Sequence, residues 1–229
     1  LGDVYKRQES YSLSRFDMRF DSFDPEHYRD YAKLNRYLIS ALAVTYNVQN
    51  CYDSRNLFSQ KQVSVAIKNK RFECENYDKE AESGGRDPAY ARLELRSKCL
   101  TSNDIEKQFH GWYTRLDKAL KNLDKVHQRY NDELEKIYKE EKDAFPVKFR
   151  SLTDFLIQYQ NCIFCKAQMI DLLSRFDEVK NPETRAKNHK KRYGIEYFSK
   201  MDVEYAVAEI KRAAEKFFKG TEMNLFEKS

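Results

Sequence analysis

The fold turns on the stretch Arg15-Phe16-Asp17-Met18-Arg19-Phe20-Asp21, read together with Arg92-Leu93-Glu94-Leu95-Arg96 further along the chain. In the first, even positions are apolar and odd positions charged; in the second, leucines alternate with Arg, Glu and Arg. Successive side chains of a strand point to opposite faces, so a period of two makes each a strand with one greasy and one charged side. A sheet face of paired carboxylates and guanidinium groups is what a metal-assisted phosphodiester site needs, with acids to hold a divalent ion and arginines to hold phosphate. The plainer reading is a solvated face laced with cross-strand ion pairs, each contributing at most about 1 kcal/mol.

Beyond the first strand, Asp24-Pro25-Glu26 reads as an N-cap followed by proline in the first helical turn. A helix then runs to about Tyr46, with Tyr31, Leu34, Leu38, Leu42 and Thr45 on one stripe. Val48 to Gln60 is polar and reads as loop. Gln62–Ile67 and Arg71–Tyr77 read as strands joined at Asn69-Lys70, and Glu82 to Pro88, with its adjacent glycines, as a loop before the strand Ala91–Lys98. Residues 9–100 are therefore expected to form an α+β unit, a small antiparallel sheet with one covering helix.

The second half changes character. From Asn103 to about Ala144, Ile105, Phe109, Trp112, Leu116, Leu120, Leu123, Val126, Tyr130, Leu134 and Ile137 recur every three or four residues. This predicts one long connecting helix over 101–145, about 60 Å in length, with Gly111 as its weak point and Pro146 as its stop. Its seam suits either a homodimer surface or, the preferred reading, the spine for the helices that follow. Residues 146–229 are expected to be helical. Leu152–Gln160 and Lys166–Phe176, flanking Asn161 to Cys165, form a helix-turn-helix-like pair with Lys166, Gln168 and Arg175 on the second helix. The basic run Arg185 to Arg192 and an amphipathic helix Asp202–Lys219, with Asp202 as N-cap, complete the chain.

Composition narrows the function classes. The 229 residues carry 42 Lys and Arg against 37 Asp and Glu, a net charge of +5 that suits a polyanionic partner without demanding one. Only 6 glycines and 4 prolines argue for a helix-rich chain. No apolar run approaches the roughly 18 residues of a membrane span, so no membrane partner is expected. Five cysteines scattered through a lysine-rich chain read as reduced thiols in a cytoplasmic protein. Cys162-x-x-Cys165 stands without a second pair or nearby His, which fits buried small residues better than zinc. The chain opens on Leu rather than Met, and Leu1 to Gln8 joins no pattern, so the natural N-terminus is expected to lie further upstream.

The order Arg15-Phe-Asp-Met-Arg-Phe-Asp21, a helix, Phe72-Glu-Cys-Glu-Asn-Tyr-Asp-Lys79, then Ala91-Arg-Leu-Glu-Leu-Arg96 resembles the rolling-circle replication initiators of plasmids and filamentous phages. Those proteins show an R-x-D-x-x-x-D strand, a Tyr-Asp-Lys strand end and an R-x-E-x-R strand, and the likeness covers about residues 14–100. The resemblance implies that Asp17 and Glu94 lie near a divalent metal, Mg²⁺ or Mn²⁺, with Tyr77, Asp78 and Lys79 marking the strand end beside it. It implies binding of origin DNA and nicking of one strand through a tyrosine that becomes linked to the 5′-phosphate. No motif singles out the nucleophile; Tyr113, the first tyrosine after the last strand, is the nearest candidate, with Tyr130 and Tyr138 further along the helix as others. Arg15, Arg19, Lys79, Arg92 and Arg96 on the sheet, with Lys166, Lys187, Lys190, Lys191 and Arg192 in the helical region, are the candidate DNA contacts. The chain departs from the family in lacking a His-x-His metal pair: His27, His110, His127 and His189 are isolated. The alternatives are a non-enzymatic DNA-binding initiator or transcriptional regulator, and an interaction protein built around the long helix.

Overall fold

The computed structural model of the chain describes residues 15–22, 26–48, 65–70, 72–79, 83–86, 90–98, 105–144, 146 and 148–226. The fold is α+β. Strands β1 (Arg15–Ser22), β2 (Val65–Lys68), β3 (Phe72–Asp78) and β4 (Ala91–Lys98) form an antiparallel sheet in the order β1-β4-β3-β2. Both alternating stretches are strands and they lie side by side, Asp17 opposite Arg96, Arg19 opposite Glu94 and Asp21 opposite Arg92. The hairpin between β2 and β3 turns at Asn69-Lys70 as read, closed by Asn69 N–H donating to Phe72 O and Phe72 N–H to Asn69 Oδ1, both at 2.9 Å. Gly84 and Gly85 both hold positive φ, 65° and 81°, where a side chain would be strained. The expected cap at Asp24-Pro25 and most of the Val48–Gln60 loop lie outside the described residues.

Period-two alternation sends Met18, Cys74, Leu93, Leu95 and Ile67 to one face of the sheet, where they are buried. Helix α1 (Tyr28–Thr45) covers that face, burying Leu38, Ile39 and Leu42, while Tyr31 at the start of its expected stripe stays exposed. Asn76 is a buried polar residue on the same face, tied to α1 through Asn35 Nδ2 at 3.1 Å and Ala32 O at 3.2 Å.

The long helix is two helices. α2 (Ile105–Leu120) passes through Gly111 without interruption, and the break falls at Lys121-Asn122, before α3 (Leu123–Lys142). Nothing in the heptad-like pattern marks that point, because Leu116, Leu120 and Leu123 keep their spacing across it. A tertiary contact does: Asn122 Nδ2 donates to Thr45 Oγ1, at the end of α1, at 3.0 Å. The seam packs within the chain, with Trp112, Leu116, Val126, Tyr130 and Leu134 buried in one core with the sheet and α1.

The chain continues through α4 (Leu152–Gln158), a short 3-10 turn Gln160–Cys162, α5 (Lys166–Ser174), α6 (Pro182–Tyr193) and α7 (Lys200–Phe226); α4 and α5 pack on α3, α6 packs on α5, and α7 packs on α2. Ser151 caps α4 and the Cys165 thiol caps α5, accepting from Gln168 N–H at 3.3 Å. The basic run forms the body of α6, opened by Asn181 accepting from Thr184 N–H at 3.0 Å and closed by Gly194 at φ 63°. The last helix starts at Lys200. Asp202 does not cap it but answers Ser199 in a capping box, Ser199 N–H to Asp202 Oδ2 at 2.5 Å and Asp202 N–H to Ser199 Oγ at 3.2 Å. Among the described residues no helix is long and apolar enough to cross a membrane.

Candidate functional site

The second face of the sheet gathers the charged residues of the alternating strands. Arg92 grips Asp21 with Nε at 2.6 Å and Nη2 at 2.7 Å. Arg96 lies amid three carboxylates, meeting Glu73 at 3.1 Å, Glu75 at 3.0 Å and also Glu94. Glu94, only 3% exposed, also accepts the Tyr77 hydroxyl at 2.6 Å and pairs with Arg19 at 3.3 Å. Burial and the Glu94 carboxylate together push the Tyr77 phenol well above its ordinary range, so it is a neutral donor. Lys79 lies 5.0 Å from the Tyr77 ring. Arg15 holds the corresponding register position opposite Lys98, and its side chain lies outside the described residues.

Asp17 and Glu94 thus share a face, but the donor set does not fit a divalent ion. Both oxygens of Glu94 are occupied, Oε1 by Tyr77 and Arg19 and Oε2 by Arg96. The Arg96 guanidinium takes the place between Glu73, Glu75 and Glu94 that a cation would need. Among the described residues no three His, Cys, Asp or Glu side chains are grouped as metal ligands. Acids that alternate in register with arginines neutralise one another across the ladder, which the period-two pattern permits as readily as a ligand cluster.

Tyr113 is not brought to that face. Its neighbour Trp112 donates Nε1–H to Ser97 Oγ at 2.9 Å and meets Phe72 edge-on, both on the apolar side of the sheet. Tyr113 itself donates to Lys211 O on α7 at 3.1 Å, and burial raises its phenol above the usual range. The tyrosine that does touch the acids is Tyr77, whose odd-numbered place beside Glu73 and Glu75 on β3 was legible in the alternation.

In the helical region, α5 is a poor reading helix. Gln168 is buried, accepting from Phe164 N–H at 2.7 Å and donating to Cys162 O at 2.9 Å. Arg175, just past its end, is held by Asp132 at 2.7 Å and Asp171 at 2.9 Å. Lys166 remains exposed at its first turn. The basic surface is instead on α6, where Ala186 and His189 face inward and Lys187, Lys191 and Arg192 are exposed. Among the described residues no acid is paired with these three, whereas Lys190 lies 3.3 Å from Glu196. Asn181-Pro182-Glu183 and Gly194 are the start and stop signals that mark α6 in the sequence, although no apolar stripe does.

Compared with protein-family models, curated proteins and solved structures, the chain matches none.

Proposed function

We propose that the protein is a DNA-binding protein, a replication initiator of a plasmid or phage-like element or a transcriptional regulator, which acts without cutting its DNA. The observation that carries this reading is the exposed basic face of α6, with Lys187, Lys191 and Arg192 unopposed by acids among the described residues on a helix fixed at both ends by caps. Ammonium and guanidinium groups so placed displace condensed counterions from a phosphate backbone, and the affinity this generates falls steeply with salt. The pairing of the sheet acids with Arg19, Arg92 and Arg96 supports a scaffold role for that face. It also withdraws Arg92 and Arg96 from contact with phosphate.

Fluorescence anisotropy with labelled duplex DNA at several salt concentrations tests the proposal. Binding should weaken as salt rises. The slope of log affinity against log salt should become shallower by about 0.9 for each phosphate that Lys187→Ala or Lys191→Ala leaves unneutralised. Absence of salt-dependent binding overturns the reading. A protein–DNA adduct that survives denaturation in the presence of Mn²⁺, and is lost in Asp17→Ala or Glu94→Ala, would replace it with a nicking enzyme.

A further inference from the structure

A cavity of about 560 Å³ opens between α3, α5, α6 and α7, with Tyr37 of α1 against it. That volume lies within the roughly 300–1,000 Å³ of small-molecule sites. Four lysines line it, Lys121, Lys166, Lys190 and Lys200, all exposed and therefore at its mouth. Asp124 is the single acid among the lining residues. Lys190 and Lys200 have acids at 3.3 and 3.7 Å, Glu196 and Glu204, whereas Lys121 and Lys166 have no acid partner among the described residues.

The backbone adds to this positive field. The first residues of α3 and α5 both border the cavity. The cap of α3, Asn122, makes no side-chain capping bond, and α5 is capped only by a thiol, a weak acceptor. Uncapped N–H groups at a helix start carry partial positive charge and favour an anion. The start of α7 is satisfied by its own capping box and adds little to this field.

The interior is of a different kind. Tyr37 and Phe198 are buried walls, and the polar floor is His127, whose Nε2 is hydrogen-bonded to the Tyr37 hydroxyl and lies 3.5 Å from Cys165 Sγ. Burial lowers the pKa of His127, so the imidazole is neutral at pH 7, with Nδ1 carrying the proton when Nε2 accepts. Tyr197 also lines the cavity. Cations at the mouth and aromatic walls inside match one chemical class, a phosphate monoester on a flat or apolar body.

We propose that this cavity binds the phosphate of a nucleotide, with Lys121 and Lys166 as the anion-holding residues. Its phosphate comes either from a free mononucleotide or from the 5′ end of a DNA strand, since Lys190 belongs both to the cavity and to α6. The inference does not rest on the DNA-binding role of α6, because Lys121 and Lys166 lie on other elements.

Isothermal titration of the full chain with AMP, with adenosine, and with a short oligonucleotide bearing a 5′-phosphate or a 5′-hydroxyl tests it. AMP should bind about tenfold or more tightly than adenosine, and the Lys121→Ala/Lys166→Ala variant should lose that preference while keeping its Tm. Lys187→Ala/Lys191→Ala should leave AMP binding unchanged, which separates this site from the DNA face. A preference for the 5′-phosphorylated oligonucleotide that disappears in Lys121→Ala/Lys166→Ala identifies a strand terminus as the source; AMP binding without that preference identifies a free mononucleotide. Equal binding of AMP and adenosine, no binding of either at millimolar concentration, or an unchanged AMP affinity in the folded double variant overturns the proposal. Should the double variant prove unfolded, the single variants Lys121→Gln and Lys166→Gln make the same comparison.

Discussion

Arg92 and Asp21 clasp each other across the β1–β4 pair through two parallel hydrogen bonds of 2.6 and 2.7 Å. The pair is largely shielded, the side chains 16% and 20% exposed, so it is screened less than a surface ion pair. Arg92→Ala and Asp21→Ala should each destabilise the fold by about 1–3 kcal/mol, with a coupling of about 1 kcal/mol or more in the double variant. Arg92→Lys should not restore it, because an ammonium cannot supply the two-pronged contact. Urea unfolding of these variants beside the parent protein checks this, and strictly additive losses would show that the clasp contributes nothing beyond its parts.

Arg96 is held among Glu73, Glu75 and Glu94, and two of these carboxylates are almost fully buried. Replacing the guanidinium by an apolar chain of similar length leaves buried negative charge without a counterion. Arg96→Met should cost about 3–5 kcal/mol, more than Arg19→Met, whose side chain is 60% exposed. Equal losses in the two variants would show that the sheet face is solvated throughout.

Trp112 is the single tryptophan of the chain, fully buried where α2 meets the apolar face of the sheet. Its emission should be blue-shifted in the native protein and move to the red on unfolding, in step with the far-UV circular dichroism. Trp112→Phe leaves Ser97 Oγ without its donor and should cost about 1–2 kcal/mol; Trp112→Ala opens a cavity and should cost about 3–5 kcal/mol. Native-state emission at the wavelength of exposed tryptophan would contradict the packing of α2.

His189 is buried on the inner side of α6 with Nε2 unbonded among the described residues, and burial with the nearby Arg185 guanidinium lowers its pKa to about 4. Its unfolded value lies near 6.5, so between about 6.5 and 4 the unfolded chain takes up a proton that the native protein refuses. Stability should therefore fall as pH drops through that window, by about 3 kcal/mol in the limit, and the loss is complete below about 4. His189→Leu should flatten this part of the profile in urea unfolding measured from about pH 7 to about pH 4.5. A profile of unchanged slope would mean that carboxylates alone set the acid sensitivity.

Elements with strong periodicity were legible, and each miss has a local cause. β1 and β4 carry alternation over seven and five residues, and both are strands of the expected extent. The basic segment 185–192 gave no helix signal of its own, because only Ala186 and His189 turn inward along twelve helical residues. Residues 101–145 read as one helix because the apolar spacing is unbroken, while the bond from Asn122 to Thr45 that accompanies the break joins residues 77 apart in the chain. Asp202 and Ser199 both suit a helix start, and only their mutual hydrogen bonds assign Ser199 as the cap.

Which residues share a face was settled by the amino-acid order alone. A period of two commits Asp17, Arg19, Asp21, Arg92, Glu94 and Arg96 to the outer side of their strands, whatever the strands pair with. It also committed the chain to α+β, since four short alternating or apolar runs cannot bury their greasy sides without the amphipathic helices that follow. The strand order β1-β4-β3-β2 came from tertiary packing, and with it the identity of every partner: Arg92 for Asp21, Arg96 for three glutamates, Tyr77 for Glu94. Charge alternation is local and fixes direction, whereas the pairing of Asp21 with Arg92 depends on register between segments 71 residues apart, which no window of sequence contains.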